Sequence, residues 1–153
     1  MTLKTVERPA QFLIGLQIRT KPMSPEIPAL WPKFVARIAE IANAAEPRVS
    51  YGVMRYEAGT LEYAAAISVT EAERIPAGMK VMTMPAATYA VFSYPLSALG
   101  QGFCEIRDRL MPASNYREAP GPFSERYDEK FDPTNPQSAV GIYIPVHPKE
   151  RAP

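Results

Sequence analysis

The segment PFSERYDEKFDP, residues 122–133, places a glutamate between two aromatic residues at strand spacing. Side chains alternate across a strand, so Phe123, Glu125 and Tyr127 share one face while Ser124, Arg126 and Asp128 share the other. The second set reads as the solvent face. The first is apolar apart from Glu125. A carboxylate on a face that ought to be buried is costly unless something compensates it. Three readings fit: the face is exposed, Glu125 pairs with an arginine on a neighbouring strand, or the position serves a site that uses a negative charge. For catalysis the supply of residues is narrow. The chain has one histidine, His147, and one cysteine, Cys104, which argues against a nucleophile–base triad. General acid–base chemistry remains, with Glu125 taking a proton from water and Tyr127, or another tyrosine of the same cleft, holding or protonating a leaving group. A lone histidine cannot build a zinc site and no other ligand spacing occurs, so neither a metal nor a cofactor is expected. The glycines of LGQGF lie within a helical pattern and give no phosphate-binding signal.

The elements that must hold these residues can be read from periodicity. FLIGLQIR (12–19) alternates Phe12, Ile14, Leu16 and Ile18 on one face, a strand signal. Residues 29–45 carry Leu30, Phe34, Ile38 and Ile41 at helical spacing, with Pro32 expected in the first turn and Pro47 ending the helix. VSYGVMRYE (49–57) and LEYAAAISV (61–69) read as a hairpin. ATYAVFSY (87–94) is a strand. Residues 97–110 carry a second helical stripe of Leu99, Phe103, Ile106 and Leu110, with Ser97 placed to cap it. PFSERYD (122–128) and AVGIYIPV (139–146) are the last two strands. The order is βαββ twice. It predicts an α+β domain in which two βαββ repeats form one sheet, both helices lie on one face, and a ligand cleft opens between pseudo-symmetric halves.

Composition narrows the function. The 153 residues are 46% hydrophobic and 22% charged, with a net charge near +1, which reads as one globular domain over 1–153. No basic stripe or helix-turn-helix pattern is visible, so direct nucleic-acid binding is not expected. A single cysteine fits a reducing compartment, and no leader or membrane-length apolar run is visible, so a soluble cytoplasmic location without membrane contact is expected.

The element order, PFSERYDEKFDP followed by IYIPV, and the hairpin YGVMRY–LEYAAAISV together resemble the gyrase-inhibitor-like (GyrI-like) effector-binding domains, found also as the ligand-sensing half of AraC-type and MerR-type transcription regulators. The resemblance runs from about Glu7 to Val146. It implies a central cleft that binds cationic, aromatic or amphipathic small molecules, as in multidrug sensors, with Glu125 as the pocket glutamate. Aromatic faces beside that carboxylate would add cation–π attraction of roughly 0.5–2 kcal/mol each. The expected ligand is therefore a lipophilic cation, and the leading function is a sensor or sequestering module. Two alternatives come with the family. One is a hydrolase of strained, cyclopropane-bearing compounds using the pocket glutamate and a tyrosine. The other is a protein inhibitor of the DNA gyrase type, with a protein partner.

Around Glu125 the candidate ligand set is Phe123, Tyr127, Tyr63, Tyr51, Trp31 and Tyr143. Trp31 lies one position off the first helical stripe and either caps the cleft or simply packs. Tyr51 and Tyr63 on the hairpin either wall the pocket or are sheet tyrosines. Tyr143 shares a strand face with Gly141, where many relatives carry an acid. Gly141 therefore reads as a lost charge with gained space, or as a close backbone approach. At most one of Tyr89 and Phe92 can line the cleft. Met54, Met82 and Met84 are adaptable wall or core. Cys104 is expected to be an inert buried thiol, and His147 a surface residue.

Overall fold

Two residues, Pro85 and Ala86, join strands that lie near opposite ends of a single sheet, and the curl of the molecule follows from that short link. The computed structural model describes residues 3–150. In chain order the elements are β1 (Thr5–Arg8), β2 (Gln11–Thr20), α1 (Glu26–Val35), β3 (Ser50–Glu57), β4 (Thr60–Val69), β5 (Lys80–Met84), β6 (Ala87–Pro95), α2 (Leu99–Glu105), β7 (Tyr116–Glu118), β8 (Phe123–Tyr127) and β9 (Ala139–Pro148). All strand pairs are antiparallel, in the order β1-β6-β9-β8-β3-β4-β2-β5, with β7 added along β9. A two-residue link spans about 11 Å at most. It can join β5 to β6 only if the sheet bends until its ends meet.

The bend gives the sheet two unlike faces. Met84 of β5 and Tyr89 of β6 pack in one buried cluster with Leu13, Tyr51, Val53, Ala64 and Ala66. This is the face on which the sheet ends converge. The other face carries Ile14, Tyr63, Ala65, Phe123, Ile142 and Ile144, together with Leu30 and Phe34 of α1 and Ile106 just beyond α2. Both helices thus cover the same face, and α1 crosses β2 and β4. The face expected to be solvated on β8 is not: Ser124 is buried and Arg126 half-buried, because the curl encloses that side too.

Both helices depart from their expected bounds. α1 begins earlier, at Glu26, where the Ser24 hydroxyl accepts a hydrogen bond from the Glu26 amide (3.2 Å). It is Pro28 that occupies the first turn, and Pro32 sits inside the helix. Proline has no N–H to continue the ladder, and the helix stops at Val35, followed by a single 3₁₀ turn at Ile38–Glu40. Leu30, Phe34 and Ile41 of the stripe are buried, and Ile38 is half-buried. The second helical stretch opens with a 3₁₀ turn at Leu96–Ala98, and Ser97 makes no cap. Beyond Glu105 it widens into a π turn, Ile106–Leu110, closed by the Met111 amide on the Ile106 carbonyl (2.9 Å). Leu99, Phe103 and Leu110 are only half-buried. The short strands β1, β5 and β7 escape a periodicity reading because three to five residues complete too few alternations. The unit expected over 1–153 includes residues 1–2 and 151–153, which lie outside the described residues.

The Phe34 side chain is fully enclosed, while Val35 beside it is exposed. Phe34→Ala is expected to lower the unfolding free energy by about 3–5 kcal/mol, and Val35→Ala to change it by less than about 0.5 kcal/mol. Urea midpoints at constant slope check the contrast.

Candidate ligand-binding cavity

Strand register assembles the polar centre of the helix-covered face. Glu125 on β8 lies opposite Gly52 on β3, and Gly52 lies opposite Ala65 on β4. Tyr63, two residues before Ala65, reaches across the bare backbone of Gly52. Its hydroxyl donates to Glu125 Oε1 (2.8 Å), and the Tyr127 hydroxyl donates to the same oxygen (3.0 Å). From α1 the Trp31 Nε1–H donates in turn to the Tyr63 hydroxyl oxygen (2.8 Å). Glu125 is only 7% exposed. Burial pushes its carboxyl above the ordinary range, and the two phenol bonds offset only part of that rise. Burial beside this carboxylate likewise drives the Tyr63 and Tyr127 phenols well above theirs. Oε2 makes no hydrogen bond among the described residues. Since no buried side-chain oxygen there lacks a partner, Oε2 opens onto the adjoining cavity.

That cavity, about 600 Å³, lies between the sheet, α1, α2 and the Pro22–Pro25 stretch that leads into α1. Its walls are mainly apolar. The sheet supplies Met54, Leu61, Phe123 and Ile144, α1 supplies Ile27 and Trp31, and the second helical stretch supplies Leu99, Phe103 and Ile106. Aromatic edges set the shape: Trp31 meets Tyr127 at 5.1 Å between centroids, Phe103 meets Phe123 at 6.0 Å, and Tyr56 stacks on Phe123 at 5.9 Å. Met23, Cys104, Arg107 and Glu118 border the outer part. Arg107 is bound to Asp108 through Nε (2.9 Å). Partial desolvation against the wall pushes the exposed Glu118 carboxyl up.

Of the residues singled out in the sequence, Glu125, Phe123, Tyr127, Tyr63 and Trp31 converge on this cavity. Tyr51 and Tyr143 do not. Both point to the opposite face, one register step away from Gly52 and Ile142. The Tyr51 hydroxyl donates to Glu46 Oε1 (2.6 Å), which also accepts from Ser68 (2.9 Å), while Arg126 Nη2 donates to Glu46 Oε2 (3.0 Å). Burial acts to raise the Glu46 carboxyl, but the bonds from Tyr51, Arg126 and Ser68 prevail and hold it below the ordinary range. Tyr143 lies under the Arg8 guanidinium, 4.9 Å from its ring centroid. The arginine of β8 therefore serves Glu46, and no basic side chain pairs with Glu125 among the described residues.

Gly141 shares the face of Tyr143, so its missing side chain adds no room to the cavity; a Cβ there would stand 3.1 Å from the Tyr143 ring. Met54 lines the cavity, whereas Met82 and Met84 pack on the opposite face, and neither Tyr89 nor Phe92 reaches the cavity. Cys104 is exposed at the cavity rather than buried, because the helix turns that flank towards the opening. Sequence reading passed over Gly52, although a glycine inside the strand pattern SYGVMRY was a visible signal. It also passed over Met23, Met111 and Glu118, which lie in stretches with no periodicity to read.

The chain belongs to the GyrI-like family: the GyrI-like small molecule binding domain matches residues 1–147. The transcriptional regulator BrlR of Pseudomonas aeruginosa is 33% identical over 151 residues, covering 96% of this chain and 56% of the regulator. The chain thus spans little more than half the length of that relative. Among solved structures, SAV2435 bound to tetraphenylphosphonium shares the fold with a TM-score of 0.77 at 20% identity, over 96% of this chain and 94% of that one. The EcmrR C-terminal domain does so with a TM-score of 0.69 at 12% identity, over 97% of this chain and 100% of that one. No helix among the described residues is long and apolar enough to cross a membrane.

The raised carboxyl of Glu125 has a stability consequence. A carboxyl with a folded pKa above its unfolded value, near 4.3, weakens the fold as pH rises through that interval. Glu125→Gln is expected to match or exceed wild type in thermal midpoint at pH 7, with its relative standing falling as pH is lowered and levelling off below about pH 4. Paired melts between pH 4 and 8 check this. A difference that does not vary with pH would contradict it.

Proposed function

We propose that this GyrI-like domain binds lipophilic cations in the cavity, with Glu125 as the charge partner. The observation that carries the reading is a buried carboxylate that pairs with no basic side chain among the described residues and opens through one oxygen onto a mainly apolar, aromatic space. An ionised carboxylate in such a place is costly alone. A cation with apolar substituents supplies the missing charge while filling the walls, and the ring faces add to the attraction. The likeness in fold to a protein solved with tetraphenylphosphonium supports this ligand class.

We further infer that the domain is a tandem βαββ repeat with the cavity across its seam. Support comes from strand order: β3-β4-β2 in the first half is mirrored by β8-β9-β6 in the second, about the β3–β8 pair. Cavity residues come from both sides of that pair, with one helix from each half above them. Hydrolysis is less well served by the geometry. A leaving group would need a tyrosine hydroxyl turned towards it beside Glu125; of the three tyrosines lining the cavity, Tyr63 and Tyr127 donate to Glu125 Oε1 instead, and Tyr56 is exposed and stacked on Phe123. Binding, sensing or sequestering, in the cytoplasm, is the reading we adopt.

Tetraphenylphosphonium is expected to bind with micromolar-range affinity, about −7 to −9 kcal/mol, quenching Trp31. Tetraphenylborate, its anionic isostere, is expected to bind far more weakly. Glu125→Gln should weaken the cation by roughly 1.5–3 kcal/mol and leave neutral triphenylphosphine oxide little changed. Equal affinity for the phosphonium and the borate would exclude a charge-selecting site.

A further inference from the structure

The Tyr63–Glu125 bond passes through a space that almost any residue other than glycine would fill. Gly52 lies opposite both Glu125 and Ala65, in the middle of the sheet. A Cβ on Gly52 would fall on the Tyr63 hydroxyl and on Glu125 Oε1, and within 2.9 Å of Tyr63 Cζ. The backbone there does not require glycine, since Gly52 is not among the positive-φ residues. Glycine in a strand interior is otherwise a loss, with no side chain to pack and more conformational freedom to surrender. Its value at position 52 is therefore spatial.

Taking the cavity as the cation site of the preceding section, we propose that Gly52 is a positioning residue for charge recognition. Its bare backbone lets the Tyr63 hydroxyl meet Glu125, and this contact turns the carboxylate so that Oε2 faces the ligand. A side chain at position 52 displaces the phenol and crowds Glu125 Oε1, and Glu125 loses one of its two donors. Trp31 Nε1–H is also parted from its acceptor. Hydrogen bonds to a carboxylate favour its charged form, so a desolvated Glu125 with a single donor takes up a proton more readily. The cavity then presents a neutral acid to a cation over more of the pH range. Gly52 thus governs selection for charge without touching the ligand.

The test compares wild type, Gly52→Ala, Tyr63→Phe and the double variant, reading tetraphenylphosphonium and triphenylphosphine oxide affinity from pH 5 to 8. Gly52→Ala is expected to weaken the phosphonium about tenfold at pH 7, one hydrogen bond to a charged group, and to move the pH midpoint of phosphonium binding upwards. Binding of the neutral oxide should stay within about twofold of wild type. On the Tyr63→Phe background the same change should cost less than on wild type, because the bond is already gone and only the crowding of Glu125 Oε1 and the ring by the new Cβ remains. Equal loss in both backgrounds, or an unmoved pH midpoint, overturns the proposal. If wild type binds no phosphonium, the ligand reading fails, and the Gly52 proposal is judged by NMR titration of the Glu125 carboxyl, which Gly52→Ala should shift upwards; no shift overturns it. If Gly52→Ala does not fold, Gly52→Ala/Tyr63→Ala should fold, because removing the phenol leaves only the movable end of Glu125 beside the new Cβ, and failure to fold overturns it.

Discussion

A carboxylate is buried here with no ion-pair partner among the described residues, and the surrounding structure is arranged to make that bearable. Two phenols donate to one oxygen of Glu125, and an indole N–H steadies one of those phenols. The other oxygen is left for the cavity. The donors come from β4, β8 and α1, so the site exists only when the hairpin, the later strand and the first helix are docked together. Neutral hydrogen bonds reduce the cost of the buried charge but do not cancel it. On the proposed reading, a bound cation would relieve the residual cost.

The sheet separates two kinds of electrostatics that lie next to each other in the chain. Arg126 is the neighbour of Glu125, yet alternation sends it to the other face, where Glu46 and Tyr51 engage it. Were the register shifted by one residue, the arginine would enter the cavity and the glutamate would leave it. The curl imposed by the link at Pro85 and Ala86 encloses the Arg126 face, so the ion pair is partly desolvated and structural. Each face thus has its carboxylate, one paired with an arginine and one at the cavity.

The major strands and both helical stripes were legible because apolar periodicity survives in 12–19, 49–57, 61–69 and the helical stretches. The cavity glutamate was legible because it broke that periodicity between Phe123 and Tyr127. What alternation cannot say is which face of a strand lies under the helices. That is why Tyr63 and Tyr51 read alike, although only Tyr63 reaches the cavity. Tyr143 and Gly141 were drawn to the wrong face for the same reason. The enclosure of Ser124 and Arg126 depends on sheet curl, a long-range property set by strand order. The outer residues Met23 and Glu118 come from short irregular segments, where position is decided by packing rather than by pattern. Gly52 was readable as an anomaly, but its purpose needed the neighbouring strands in place.

On the proposed reading, Glu125 is a desolvated carboxyl group that a bound cation would hold ionised. The most direct test is the titration of that one carboxyl by ¹³C NMR, in the free protein and with saturating tetraphenylphosphonium. The midpoint should lie above the ordinary glutamate value near 4.3 in the free protein and fall clearly on saturation, because a nearby positive charge favours the ionised form. A midpoint that is ordinary in the free protein, or that does not move when the cation binds, would contradict that reading.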